Sequence, residues 1–192
     1  SDAKEKYGNF RKLVYEIAKP QTKEDAGGSW GYGKTVYFRV GIGLVVFYTR
    51  FKENGEYVER LACTYIEDET KYNSLLHNIK RNNRGIAWFG DEQNGSPYPI
   101  ENHDYISNFL KIFDLKCYAG RETGTKIIIP FINKKELLND INYKKEYWNN
   151  NCFWKDNFEE TLENAILQWY APRINNKNYK EMFDKPFLKV YQ

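Results

Sequence analysis

Gly27-Gly28-Ser29-Trp30-Gly31-Tyr32-Gly33-Lys34-Thr35 has the residue types and spacing best suited to chemistry in this chain. Glycine lets the backbone reach positive φ and lets a ligand come close to the amides. Successive N–H groups in such a loop form an anion-binding concavity. Lys34 adds a point charge suited to phosphate, and Thr35 adds a hydroxyl. Together they predict a nucleotide phosphate site. Gly28 to Thr35 also spells the P-loop pattern G-x-x-x-x-G-K-[ST]. A P-loop needs a buried strand before it and a helix after it. Here Gln21-Thr22-Lys23-Glu24-Asp25-Ala26 is polar, and only a short helix, Lys34 to about Val40, fits before a strand opens at Gly43. The P-loop is therefore the lesser alternative, and a glycine-rich surface turn without a ligand is another.

Other candidate groups are weaker. His103 with Asp104 offers half of an acid–base pair, but no nucleophile stands at recognisable spacing, which favours a surface turn or N-cap. Glu67-Asp68-Glu69-Thr70 offers carboxylates for a metal, although such runs are more often solvated loops. Lys80, Arg81 and Arg84, followed by Trp88 and Phe89, combine positive charge with rings that stack on bases, as do Lys144 and Lys145 with Tyr147 and Trp148. These patches define an alternative function, a nucleic-acid-binding module. A solvated basic loop beside core aromatics is the simpler account of them. Cys63, Cys117 and Cys152 are far apart with no C-x-x-C pair, so neither a disulfide framework nor a zinc site follows. Free thiols fit a reducing, cytoplasmic compartment.

The composition sets the frame. A chain of 192 residues has room for one domain, or one domain with an attachment. Apolar content of 41% and aromatic content of 17% supply a core, and sixteen Tyr and five Trp give that core polar edges that need partners. A net charge of +3 is too balanced to argue for nucleic acid or membrane binding by itself. No run is long and apolar enough to span a bilayer, and no membrane partner is expected. The chain opens at Ser1 without Met and closes on the strand-like run Phe187–Tyr191, which predicts that it is part of something longer.

The elements that must position the glycine loop are legible in the periodicity. Phe10, Leu13, Val14 and Ile17 predict an amphipathic helix over 9–18, stopped by Pro20. The polar stretch after it leads into the loop as a lid. Gly43 to Phe51 and Tyr57 to Ile66 read as two strands of a hairpin, joined at Asn54-Gly55. Both alternating sets of the first strand are apolar, which predicts burial on both faces or a central place under helices. Asp91 to Pro99 reads as loop, Tyr105 to Phe113 as a helix, and Leu115 to Ala119 as a short strand. Lys126 to Phe131 is the strongest β signal, and Phe158 to Tyr170 is a third helix.

Gly31-Tyr32-Gly33-Lys34-Thr35 matches a G-x-G-[KF]-[ST]-like glycine box, and Gly124-Thr125 before an apolar strand matches a later Gly-Thr box. With these motifs, the order of elements over residues 9–132 resembles the second half of a GHKL (Bergerat-fold) ATPase domain. That fold is shared by gyrase B, MutL, the ninety-kilodalton chaperone and histidine kinases. Within the group the chain is most similar to MORC and bacterial MORC-like ATP-binding proteins. The resemblance implies an α+β fold: a two-layer sandwich with a mostly antiparallel, mixed sheet and helices on one face, truncated at its N-terminal side. Residues 1–132 would be the C-terminal part of the ATP-binding domain, and 133–192 the start of a helical, transducer-like unit. Gly28, Gly31, Tyr32, Gly33, Lys34 and Thr35 would surround the phosphates of ATP, and Gly124 and Thr125 would lie by the adenine. The family's general-base Glu, its magnesium-holding Asn and its Asp-x-Gly-x-Gly box have no counterpart in residues 1–26. Mg2+ would thus be held outside this chain, no catalytic residue is assigned, and the fragment alone would be inactive. The implied activity is an ATP-driven conformational and homodimerisation switch, in DNA transactions or bacterial defence.

Overall fold

The computed structural model describes residues 2–16, 35–68, 70, 72–76, 85–93, 95–138, 157–174, 176–178 and 181. The chain forms two compact units, Ser1–Asn133 and Lys134–Gln192.

The first unit is built on a β-hairpin. Strand β1 (Leu44–Glu53) and strand β2 (Glu56–Ile66) pair antiparallel over their full length, from Leu44 with Tyr65 to Glu53 with Glu56. Asn54 and Gly55 join them, both with positive φ (51° and 90°), as a two-residue primed turn requires. Strand β3 (Ile86–Phe89) adds to the outer side of β2. The chain then leaves the sheet in a small hairpin, β4 (Asp91–Gln93) and β5 (Ser96–Tyr98), where a loop was expected. It returns at Ile100, which exchanges both backbone hydrogen bonds with Leu61. Strand β6 (Gly124–Ile128) pairs with the far side of β1, giving the order β3-β2-β1-β6. Among the described residues all three pairings of this sheet are antiparallel.

Successive strand residues face opposite ways, and cross-strand partners share a face. The first face carries Val45, Phe47, Ala62 and Thr64. Helix α1 (Asp2–Val14), interrupted at Gly8, lays Phe10 and Val14 on it, and helix α2 (Thr35–Val40) adds Phe38. The second face carries Val46, Tyr48, Leu61 and Cys63, and helix α3 (His103–Lys111) covers it with Ile106 and Leu110. The α+β class is as expected. Helices, however, lie on both faces of the sheet and not on one, because both alternating sets of β1 are apolar and each needs cover. Each large apolar side chain so buried contributes about 1.5–3 kcal/mol of transfer free energy.

Helix α1 stops at Val14, well before Pro20, and the buried Thr64 hydroxyl donates to the Val14 carbonyl at 3.1 Å. Helix α3 starts after Asn102, whose side chain accepts from the Tyr105 amide at 2.8 Å. The segment 115–119, expected as a strand, joins no ladder. Its amides bond elsewhere: Leu115 to the Leu110 carbonyl, Tyr118 to the Tyr48 hydroxyl and Ala119 to the Glu122 carboxylate.

In the second unit, a short helix α4 spans residues 134–138 and α5 spans Phe158–Tyr170. Asn157 caps α5 by accepting from the amides of Glu159 and Glu160. Those two acidic residues also suit the positive end of the helix. Lys134 pairs with Glu159 and sits 5.3 Å over the Phe158 ring. A 3-10 turn, Ala171–Arg173, follows.

Candidate functional site

Of the residues assigned to the glycine box, Gly28, Gly31, Tyr32, Gly33 and Lys34 lie outside the described residues. Thr35 opens α2, which is anchored by Phe38 against Val45 and Phe47. Thr125 lies in β6 directly opposite Thr49 of β1, and their hydroxyl oxygens are 3.1 Å apart. Thr49 also donates its hydroxyl hydrogen to the Gly124 carbonyl at 3.0 Å. A hydroxyl has one hydrogen, so Thr125 must be the donor in the pair. The Thr125 oxygen, on an exposed residue, keeps its acceptor capacity.

Register places this pair on the first face, the face that α1 and α2 cover. Thr49 follows Val45 and Phe47 at period 2, and Thr125 is followed at the same period by Ile127, opposite Phe47. Val45, Phe47, Ala62 and Thr64 are fully buried there, whereas Thr125 is exposed and Ile127 is 37% exposed. The helices thus leave an open strip along β6. Arg60 lies opposite Thr49 on the other side, and completes the row Arg60–Thr49–Thr125. It is buried over the Phe51 ring, with Nε 3.0 Å from Glu101 and Nη2 3.5 Å from Glu53.

Gly124 has a packing explanation. A Cβ on it would meet the Tyr118 hydroxyl oxygen at 2.9 Å and the ring at 3.1 Å, so a side chain there would have to push the end of this tyrosine aside.

The second face holds a cluster that the sequence did not reveal. Glu59 of β2 accepts from the Tyr48 hydroxyl at 2.5 Å through Oε1, and its Oε2 is 2.5 Å from His103 Nδ1. The Cys117 thiol completes a set in which sulfur, imidazole nitrogen and carboxylate oxygen all lie within 4.8 Å of one another. Tyr48 is fully buried, stacks on Tyr118 at 5.6 Å, and accepts from the Tyr118 amide at 3.0 Å. Burial raises the Glu59 carboxyl's pKa, but the hydrogen bonds from His103 and Tyr48 more than reverse this and hold it below its ordinary value. Burial, then the Glu59 charge, pushes the Cys117 thiol up.

His103 was expected at a surface turn or N-cap, paired if at all with Asp104. It is instead the first residue of α3, and its partner is Glu59, forty-four residues upstream. One signal was available: Glu59 shares the parity of Leu61 and Cys63, so a carboxylate stands on a buried row of β2. Of the basic–aromatic patch, Lys80, Arg81 and Arg84 lie outside the described residues. Trp88 is 39% exposed in β3, with its ring tilted 6.2 Å from that of Tyr15. No helix among the described residues is long and apolar enough to cross a membrane.

Comparison of the chain with protein-family models, with curated proteins and with solved structures finds no match.

Proposed function

We propose that the first unit is part of a nucleotide-binding module of the GHKL type, with ATP on the first face of the sheet. The observation that carries this is the Thr49–Thr125 hydroxyl pair on an open strip of sheet, beside the helix that the glycine box leads into. The unpaired acceptor on Thr125 suits the exocyclic amine of adenine, directly or through a water, and Ile127 offers the base an apolar floor. In this role, residues 28–34 close over the phosphates, with Lys34 countering their charge and the glycine amides donating to their oxygens. Thr35, at the start of α2, either binds a phosphate oxygen or caps the helix. The chain's own residues bind and orient the nucleotide. Bound Mg2+ would neutralise phosphate charge, and its ligand and the general base are assigned outside this chain. Closure of the lid over ATP, coupled to dimerisation, would make the module a switch.

The experiment is thermal denaturation of the natural full-length product with and without a non-hydrolysable ATP analogue. A ligand that binds only the folded state raises its melting temperature by mass action. Lys34→Ala and Thr125→Val should each remove the shift, and Lys34→Ala should leave DNA affinity nearly unchanged. A nucleotide shift that survives both substitutions, or loss of DNA affinity in place of nucleotide affinity, overturns the assignment.

A further inference from the structure

We propose that Glu59, His103 and Cys117, on the second face of the sheet, form a site for a single zinc-like transition-metal ion. The three ligands come from three elements that the tertiary fold brings together: β2, the first turn of α3 and the segment 115–119. Their donors, one oxygen, one nitrogen and one sulfur, form the mixed set that zinc takes and that the hard cations magnesium and calcium do not. Tetrahedral bonds of about 2.0–2.3 Å put neighbouring ligand atoms about 3.3–3.8 Å apart. The observed atoms lie within 4.8 Å of one another, with the Glu59–His103 pair at 2.5 Å, so small side-chain rotations make the fit.

The surroundings are those of a supported site. A ligating carboxylate is usually oriented by its own hydrogen bond. Glu59 has one from Tyr48, a fully buried ring that is itself fixed by the Tyr118 amide and the Tyr118 stack. The Glu59 side chain is only 10% exposed, whereas that of His103 is 64% exposed, so ions can arrive from the His103 side. Among the described residues the site has three protein ligands, which leave a fourth position for water or another group, as in zinc sites that do chemistry. The site lies on the opposite face from the Thr49–Thr125 pair and does not depend on nucleotide binding.

The test is titration of the full 192-residue chain with Co2+ under reducing, oxygen-free conditions. The readouts are the near-ultraviolet thiolate-to-cobalt charge-transfer band and its loss on adding Zn2+. One ion should bind per chain with that band present. Cys117→Ser should abolish the band, and His103→Asn should weaken binding at least about 100-fold. Tyr48→Phe, which removes the orienting hydrogen bond, should weaken it about 10-fold. His103 is exposed, so its variant keeps the test valid if Cys117→Ser fails to fold. A missing charge-transfer band, a band that persists in Cys117→Ser, or unchanged affinity in His103→Asn overturns the proposal.

Discussion

Tyr48→Phe removes one oxygen atom and tests whether the second face is held together by the polar network drawn above. The ring stays, so its stack on Tyr118 and its packing in the core are kept. Two partners lose their bond: the Glu59 carboxylate loses a donor and the Tyr118 amide loses its acceptor. A hydrogen bond to a charged group contributes about 1.5–3 kcal/mol, and an amide left unpaired costs about 1–3 kcal/mol. The two overlap, and solvent at the cluster's open side recovers part, so the expected loss is about 2–4 kcal/mol. In urea that lowers the unfolding midpoint by about 1–2 M, given a slope of about 2 kcal/mol/M. Hydrogen exchange gives a local readout, since the Tyr118 amide should lose protection while amides of the β1–β2 ladder keep theirs relative to global stability. A double-mutant cycle with Glu59→Gln should show a coupling of about 1 kcal/mol or more. A loss under about 0.5 kcal/mol, or strict additivity in the cycle, would refute the network.

Further expectations follow from single positions. Gly43 has φ +91°, and a Cβ there would lie 2.1 Å from the Ile66 carbonyl oxygen, beside the bond from the Ile66 amide to the Gly43 carbonyl. Gly43→Ala should therefore cost about 2–4 kcal/mol, combining left-handed strain of about 1–2 kcal/mol with a disrupted end of the β1–β2 pairing, seen as a lower urea midpoint. Burial pushes the Cys63 thiol up from 9.0 to about 12. Above 9.0 the unfolded thiol ionises while the folded one keeps its proton, so stability falls as pH rises from 9.0 toward 12. Cys63→Ala should remove that part of the alkaline decline, on the order of 1–2 kcal/mol near pH 10.5, measured as the difference in urea midpoints between pH 8 and pH 10.5.

Much of the fold was readable because its signals are local. Asn54-Gly55 between two apolar runs specifies a hairpin, and the turn has the positive φ values that those residues permit. Apolar residues on both parities of β1 predicted cover on both faces, which is what α1, α2 and α3 provide. That same observation already conflicts with helices on one face only. Other expectations failed where backbone partners are remote. Residues 115–119 carry strand-like side chains, yet Tyr118 finds its acceptor in the hydroxyl of Tyr48, seventy residues away. Residues 91–99 carry turn formers and still make a small ladder, because glycine and proline mark the bend without excluding short pairing around it.

The hairpin, the amphipathic helices and the residue types on offer at each position are written into the chain locally. These follow from periodicity and turn chemistry, which act over a few residues. Which of those residues meet is set by strand register and helix packing. The register of β6 on β1 brings Thr125 to Thr49, and a slip of one residue would have turned it to the other face. The packing of α3 on the second face brings His103 to Glu59 and Cys117. No pattern along the chain encodes such meetings, because distances across a sheet are set by strand pairing and core packing and not by separation in sequence.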